Sequence, residues 1–296
     1  MVPPAEPRSY YGQSVINPPI WKSEIPWYFF TGGLAGASLP LSLAASLQGN
    51  EALARRAAFG ALGGAVVSPA LLVSDLGRPE RFLYMLRVFK VTSPMSVGSW
   101  ILTGFGATSA LGAARELLGR MPRAGRAAQV AGSLLGAGMA TYTAALVANT
   151  AVPAWHEARR ELPFVFAASA VASAGGFAAA LTPVRHAGPA RAMAIAGGVT
   201  EVALTGRMER RLGFVGEPYR AGTPQRLATA AKALTAAGSV LMARAGGRRS
   251  GAAAAGLALM AGAAAERWAI FQAGMASAKD PRYTVGPQRD RLEQRA

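Results

Sequence analysis

The chain has 296 residues, of which 51% are hydrophobic and 16% charged, and its mean hydropathy is +0.24. That much apolar matter excludes a disordered or collagen-like chain, and a charged fraction well below the roughly 25% of soluble domains points to a membrane protein. The 31 Lys and Arg outnumber the 15 Asp and Glu, giving a net charge of +16. They punctuate apolar runs instead of gathering on one segment, which argues against a nucleic-acid partner.

There are no cysteines, so no disulfide, thiolate-bound zinc or iron–sulfur cluster is expected on this chain. Residues 1–24 are expected to lie outside the membrane. The stretch from Met1 to Trp21 is rich in Pro and polar residues, without the basic start and apolar stretch of a cleavable signal peptide.

Crossing about 30 Å of hydrocarbon takes a helix of about 20 apolar residues. Eight segments are candidates: Ile25–Leu47, Ala57–Ser74, Ser96–Ala114, Ala127–Val152, Leu162–Thr182, Ala192–Gly206, Leu227–Ala243 and Gly251–Ala276. The expected fold is therefore an all-α membrane protein. One four-helix bundle occupies 25–152, a second 153–276, and a polar tail 277–296. The sixth and seventh segments are short, rich in Ala and Gly, and carry Glu201 and Lys232, so an interfacial placement of that pair is the alternative. Gly32 with Gly36, Gly60 with Gly64, and Gly132 with Gly136 have the small-xxx-small spacing that lets helix backbones approach in lipid. Pro40 and Pro69 sit inside the first two segments, where they free backbone carbonyls.

Eight crossings put both termini on one face, side A, with the loops after spans two, four and six. Side A then carries 18 Lys and Arg, from Arg8 to Arg295, against 11 on side B, which points side A to the cytoplasm. His156 falls on side A and His186 on side B, so the two cannot jointly hold a buried haem.

Polar and aromatic residues concentrate at the side A ends of the first four segments. The first opens with Trp21, Lys22, Ser23, Glu24, Ile25, Pro26, Trp27 and Tyr28, which reads either as an interfacial aromatic belt or as a binding site around Glu24. The second ends in Asp75-Leu76-Gly77-Arg78-Pro79, where Asp75 could pair with Arg78 or cap the next helix. Phe82, Met85, Leu86 and Phe89 then fall on one face of a helix suited to lie in the interface. In the fourth segment Tyr142 lies some 15 Å below side A, where its hydroxyl needs a partner: Asp75, a neighbouring helix or a ligand. Glu201, Lys232 and Glu266 lie within the later spans. Ionisable groups at such depth mark either proton routes or buried pairs, here a Glu201–Lys232 pair.

IPWYFFTGGLAGAS (25–38), DLGRPERF (75–82), SPMSVGSW (93–100) and the stretch from Tyr142 to Phe166 together resemble the NrfD/PsrC-type membrane subunits, which include the anchor of polysulfide reductase. The resemblance covers about the first 180 residues. It implies a haem-free, eight-helix subunit of a respiratory electron-transport complex that exchanges electrons and protons between membrane quinone, ubiquinone or menaquinone, and an iron–sulfur subunit docked outside. A separate catalytic subunit, molybdopterin-dependent in several relatives, handles the other substrate. The implied quinone pocket lies among the first four helices, with Glu24 and Tyr142 in the head-group positions and Trp27, Tyr28, Asp75 and Arg78 beside them. By their location Asp75, Glu201, Lys232 and Glu266 are the candidates for proton transfer, with the Glu201–Lys232 ion pair as the other reading of the later two spans. A chain with no redox centre of its own must hold quinone close to a partner's cluster and supply position, desolvation and protons. Two rivals remain. A secondary or proton-coupled transporter would show a repeat with broken helices, which the sequence lacks. A purely structural anchor would use the side A cluster for docking alone.

Overall fold

The computed structural model describes residues 14–293, so Arg8 and Arg295 of the side A tally lie outside the described residues. No strand occurs among the described residues. Eight long helices carry the fold: α1 (Glu24–Leu47), α2 (Glu51–Asp75), α3 (Pro94–Leu118), α4 (Pro122–Ala148), α6 (Leu162–Leu181), α7 (Gly188–Leu212), α8 (Gly222–Ala245) and α9 (Arg249–Lys279). The short α5 (Pro153–Glu157) joins α4 to α6, 3-10 turns span Pro79–Leu86 and Gly213–Arg220, and α10 (Arg282–Glu293) closes the chain.

Each apolar segment read from the sequence is one of the long helices. By length and composition, α1, α2, α4 and α6 are long and apolar enough to cross a membrane. The other four have 24 to 31 residues. All but one of the helices outrun their apolar stretch. Arg55, Arg56, Arg115 and Arg126, expected in loops, sit in the end turns of α2, α3 and α4. Starts are set by local chemistry. Proline stands in the first turn of α3, α4, α6 and α7, where its missing N–H costs no bond. Asn50 caps α2 through the Leu53 N–H, and its amide donates to the His186 carbonyl at 2.9 Å, tying two side B turns together.

The fourth helix is shorter at side A than expected. It ends at Ala148 because Pro153 forces Val152 into an extended conformation (φ −68°, ψ 117°) and Asn149 closes the last turn. Tyr142 is thus six residues, about 9 Å, from the helix end. The segment after α2 is a 3-10 turn and not an α-helix. Its three-residue period stacks Phe82 over Met85 on the half-buried side, while Phe89 stays exposed and meets Trp100 edge-on at 6.2 Å.

Helix α1 is central, packing on α2, α4, α6 and α9; α3 leans on α2 and α4, and α8 on α7 and α9. Much of the interior is Ala and Gly, so the helices approach closely and gain stability from backbone-level contact. The tightest crossing is α1 on α4. A methyl group added at Gly36 would stand 2.5 Å from the Gly136 carbonyl oxygen, so only glycine fits there. One buried cluster runs through both halves, with Tyr28, Phe29, Phe105, Met139, Trp155 and Phe166 in contact.

Candidate functional site

At the side A end of the first four helices lies a mostly apolar cavity. Trp21 and Ile25, Tyr28 and Phe29 of α1 form one wall, Leu72 and Asp75 of α2 another. Met85 of the 3-10 turn, Met95 and Ser99 of α3, and Tyr142 of α4 complete it. The two tyrosine rings meet edge-on at 6.4 Å. The Tyr28 hydroxyl is buried without a hydrogen-bond partner, and among the described residues none hydrogen-bonds to the Tyr142 hydroxyl. Both phenol rings border this mostly apolar space, and no described residue hydrogen-bonds to either hydroxyl. A buried hydroxyl without a partner is costly.

The motif SPMSVGSW acquires its reason here. A Cβ on Gly98 would collide with the Tyr142 ring, so the glycine admits the tyrosine against α3. Ser93 caps the same helix by accepting from the Ser96 N–H. Asp75, the last residue of α2, accepts from the Lys22 backbone N–H at 2.9 Å and so anchors the segment leading into α1. It neither pairs with Arg78 nor caps the next helix, the two arrangements expected of it. Trp21 stacks on Trp155 at 5.7 Å, and Trp155 donates to the Ile270 carbonyl at 2.7 Å, which fixes this wall to α9.

Of the six residues expected to contact quinone, Tyr28, Asp75 and Tyr142 meet in this cavity. Glu24, Trp27 and Arg78 are not among the residues lining it. The Glu24 carboxylate accepts from Ser23 at the mouth of α1, and Trp27 faces outward against Phe30 and Trp268. Arg78 is exposed just after α2. The wall residues Trp21, Met85, Met95 and Ser99 are not among the quinone contacts expected from the sequence. For Ser99 the three-residue step from Ser96 in SPMSVGSW was the available signal.

A family model described as "Polysulphide reductase, NrfD" matches residues 13–192, more than half of the chain and all of this cavity. The chain belongs to the NrfD family. Its members are membrane subunits of quinone-linked oxidoreductase complexes, which makes this an integral membrane protein. A direct sequence comparison with curated proteins finds no match.

Beyond the NrfD match lie the ionisable residues of the later helices. Lys232 does not pair with Glu201. Its ammonium reaches Glu209, one turn from the end of α7, at 2.8 and 3.0 Å, because a long side chain on α8 extends toward the polar end of the bundle. Glu201 instead faces Glu266 and Arg267 of α9. Arg267 was missed from the sequence, although the Glu266-Arg267 dipeptide inside an apolar run is a visible signal. Among the described residues no group of three His, Cys, Asp or Glu is placed to hold a metal ion.

Proposed function

We propose that this NrfD chain binds membrane quinone in the α1–α4 cavity and exchanges its electrons with an iron–sulfur subunit docked on side A, within a complex whose catalytic subunit handles a second substrate. The observation that carries this reading is a mostly apolar cavity walled by Tyr28 and Tyr142, neither of whose hydroxyls has a hydrogen-bond partner among the described residues. A quinone offers two carbonyl acceptors on a flat apolar ring, and an unpaired donor at each is the complement. Oxidising quinol releases two electrons and two protons. The electrons leave through the partner's cluster, and a proton passes to Asp75, the carboxylate that lines the wall among the described residues. Ubiquinone and menaquinone share the carbonyl geometry that the tyrosines address.

In this reading all eight long helices cross the bilayer, both termini lie on side A, and the basic excess there faces the cytoplasm and receives the soluble subunits. The first bundle holds the quinone. The second buttresses it and carries the proton-transfer candidates Glu201, Lys232 and Glu266. His156 and His186 stand at opposite ends of the 20-residue α6, about 30 Å apart along its axis, which supports a haem-free subunit.

The test is photolabelling of the full chain in lipid nanodiscs with an azido-quinone. Label is expected in peptides containing 21–29, 72–76, 95–99 and 142–146, with competition by unlabelled quinone. Label spread over lipid-facing helices without competition overturns the proposal and leaves a structural anchor.

A further inference from the structure

Glu201, Glu266 and Arg267 are the three most buried acidic or basic side chains among the described residues, 2%, 4% and 1% exposed. They come from two helices, and a third closes them in. Arg267 lies over the Phe166 ring of α6, 3.7 Å from its centroid, and donates to the Phe166 carbonyl at 2.9 Å. Thr205 of α7 donates to Glu266 Oε1 at 2.7 Å. The second oxygen of each carboxyl group, the Arg267 Nε and Nη1, and the Ser169 hydroxyl that faces Glu201 are buried without a hydrogen-bond partner. Ser169 is fully buried.

The charges do not balance if both acids are ionised. Guanidinium stays protonated in proteins, so Arg267 supplies one positive charge against two carboxylates. Among the described residues no second cation reaches them, since Lys232 is bound to Glu209 by two hydrogen bonds. The remaining neighbour of titratable type is Tyr219 in the 213–220 turn, buried, neutral, and near both Glu209 and Glu266. An unbalanced buried negative charge is removed by protonation. Two facing carboxylates, both acceptors, also gain a donor when one carries hydrogen.

We propose that Glu201 and Glu266 together hold one shared proton between their facing carboxyl groups, with Arg267 balancing the remaining negative charge. The site binds a proton reversibly and lies outside the stretch matched to the NrfD family. It deepens the proton-transfer role given to these carboxylates but does not depend on quinone binding. The other buried acids cannot mimic it, because Glu116 is paired with Arg115 and Glu161 with Arg211.

Infrared spectroscopy of the full chain in nanodiscs at neutral pH, in water and in D2O, tests this. The wild type is expected to show the carbonyl stretch of one buried, protonated carboxylic acid, with the small downshift of deuterium exchange. Glu201→Gln and Glu266→Gln each leave one carboxylate against Arg267, so the band should vanish in both. Arg267→Gln should raise it toward two acids. Absence of the band in the wild type overturns the proposal, as does its full survival in both Glu→Gln variants. A band that appears only when sodium is withheld also overturns it, since the site would then hold a metal cation. The wild-type measurement needs no variant to fold, and a loss of quinone labelling would leave it untouched.

Discussion

Replacing Tyr142 by Phe removes one hydroxyl from the cavity and nothing else. The ring stays held against Gly98 and edge-on to Tyr28 at 6.4 Å. Because no described residue hydrogen-bonds to that hydroxyl, the fold loses no internal bond, and the stability change is expected to stay within about 0.5 kcal/mol. A quinone carbonyl that accepts from it loses a bond worth about 0.5–1.5 kcal/mol net, which is roughly a two- to tenfold weaker Kd. The assay pairs thermal unfolding of the chain in nanodiscs with a titration by a soluble quinone analogue, read by quenching of Trp21 on the cavity wall. The reasoning is refuted if the unfolding midpoint falls by many degrees while the titration is unchanged, because the hydroxyl would then serve the fold. Tyr28→Phe is the companion. Its hydroxyl is fully buried and unpartnered, so its removal should leave the empty protein as stable or about 1 kcal/mol more stable, and should weaken quinone by a similar factor.

Gly98→Ala forces a methyl group into the Tyr142 ring and is expected to cost about 1–3 kcal/mol, with a larger loss of quinone affinity than Tyr142→Phe, in the same two assays. Gly36→Leu pushes α1 off the Gly136 carbonyl, and a cost at or above about 3 kcal/mol should appear as failure to accumulate monodisperse protein in detergent. At the start of α10, hydrogen bonds from Arg282 hold the Asp280 carboxyl below its usual range. A carboxyl lowered in the folded state stabilises above its unfolded pKa and loses that contribution as pH falls through the folded value. Hydrogen exchange of residues 282–293 should therefore quicken only on acidification below the ordinary carboxylate range, and Asp280→Asn should remove that pH dependence.

The long helices were legible because membrane spans are written in apolar runs about 20 residues long, and all eight runs became helices. Their ends were less so. Arg55, Arg115 and Arg126 lie on helix, since a terminal turn tolerates charge once it leaves the hydrocarbon, so hydropathy marks the membrane and not the helix. The 3-10 turn after α2 escaped because apolar residues three and four apart fit either helix type over eight residues. At the site, Tyr28, Asp75 and Tyr142 could be chosen from polar groups set in apolar surroundings. Glu24 had the same signal, yet it sits at the mouth of α1, where one residue of helix phase decides between cavity and outer surface. The Glu209–Lys232 pair shows the same limit: sequence gives depth along each helix, while the partner depends on rotation and on how far a lysine reaches.

The rings of Phe29 and Phe166 lie between the cavity and the carboxylate cluster. Phe29 on the cavity wall touches Phe166 at 6.0 Å, and Arg267 sits 3.7 Å from the Phe166 ring, which places the guanidinium within about 10 Å of the Phe29 ring. Charge acts across these rings. At about 10 Å and an effective dielectric near 20, a unit charge changes the energy of another by about 1.7 kcal/mol, roughly twentyfold in an equilibrium. When the cluster is neutral, with its one proton in place, that influence on a charged quinone species largely cancels. When the proton leaves, it is felt in full and disfavours negative charge on the ring. If quinone binds the cavity and the carboxylates share a proton as proposed, the two sites sense each other's charge state across these rings, and the sign of that coupling is fixed by the surplus carboxylate beside Arg267.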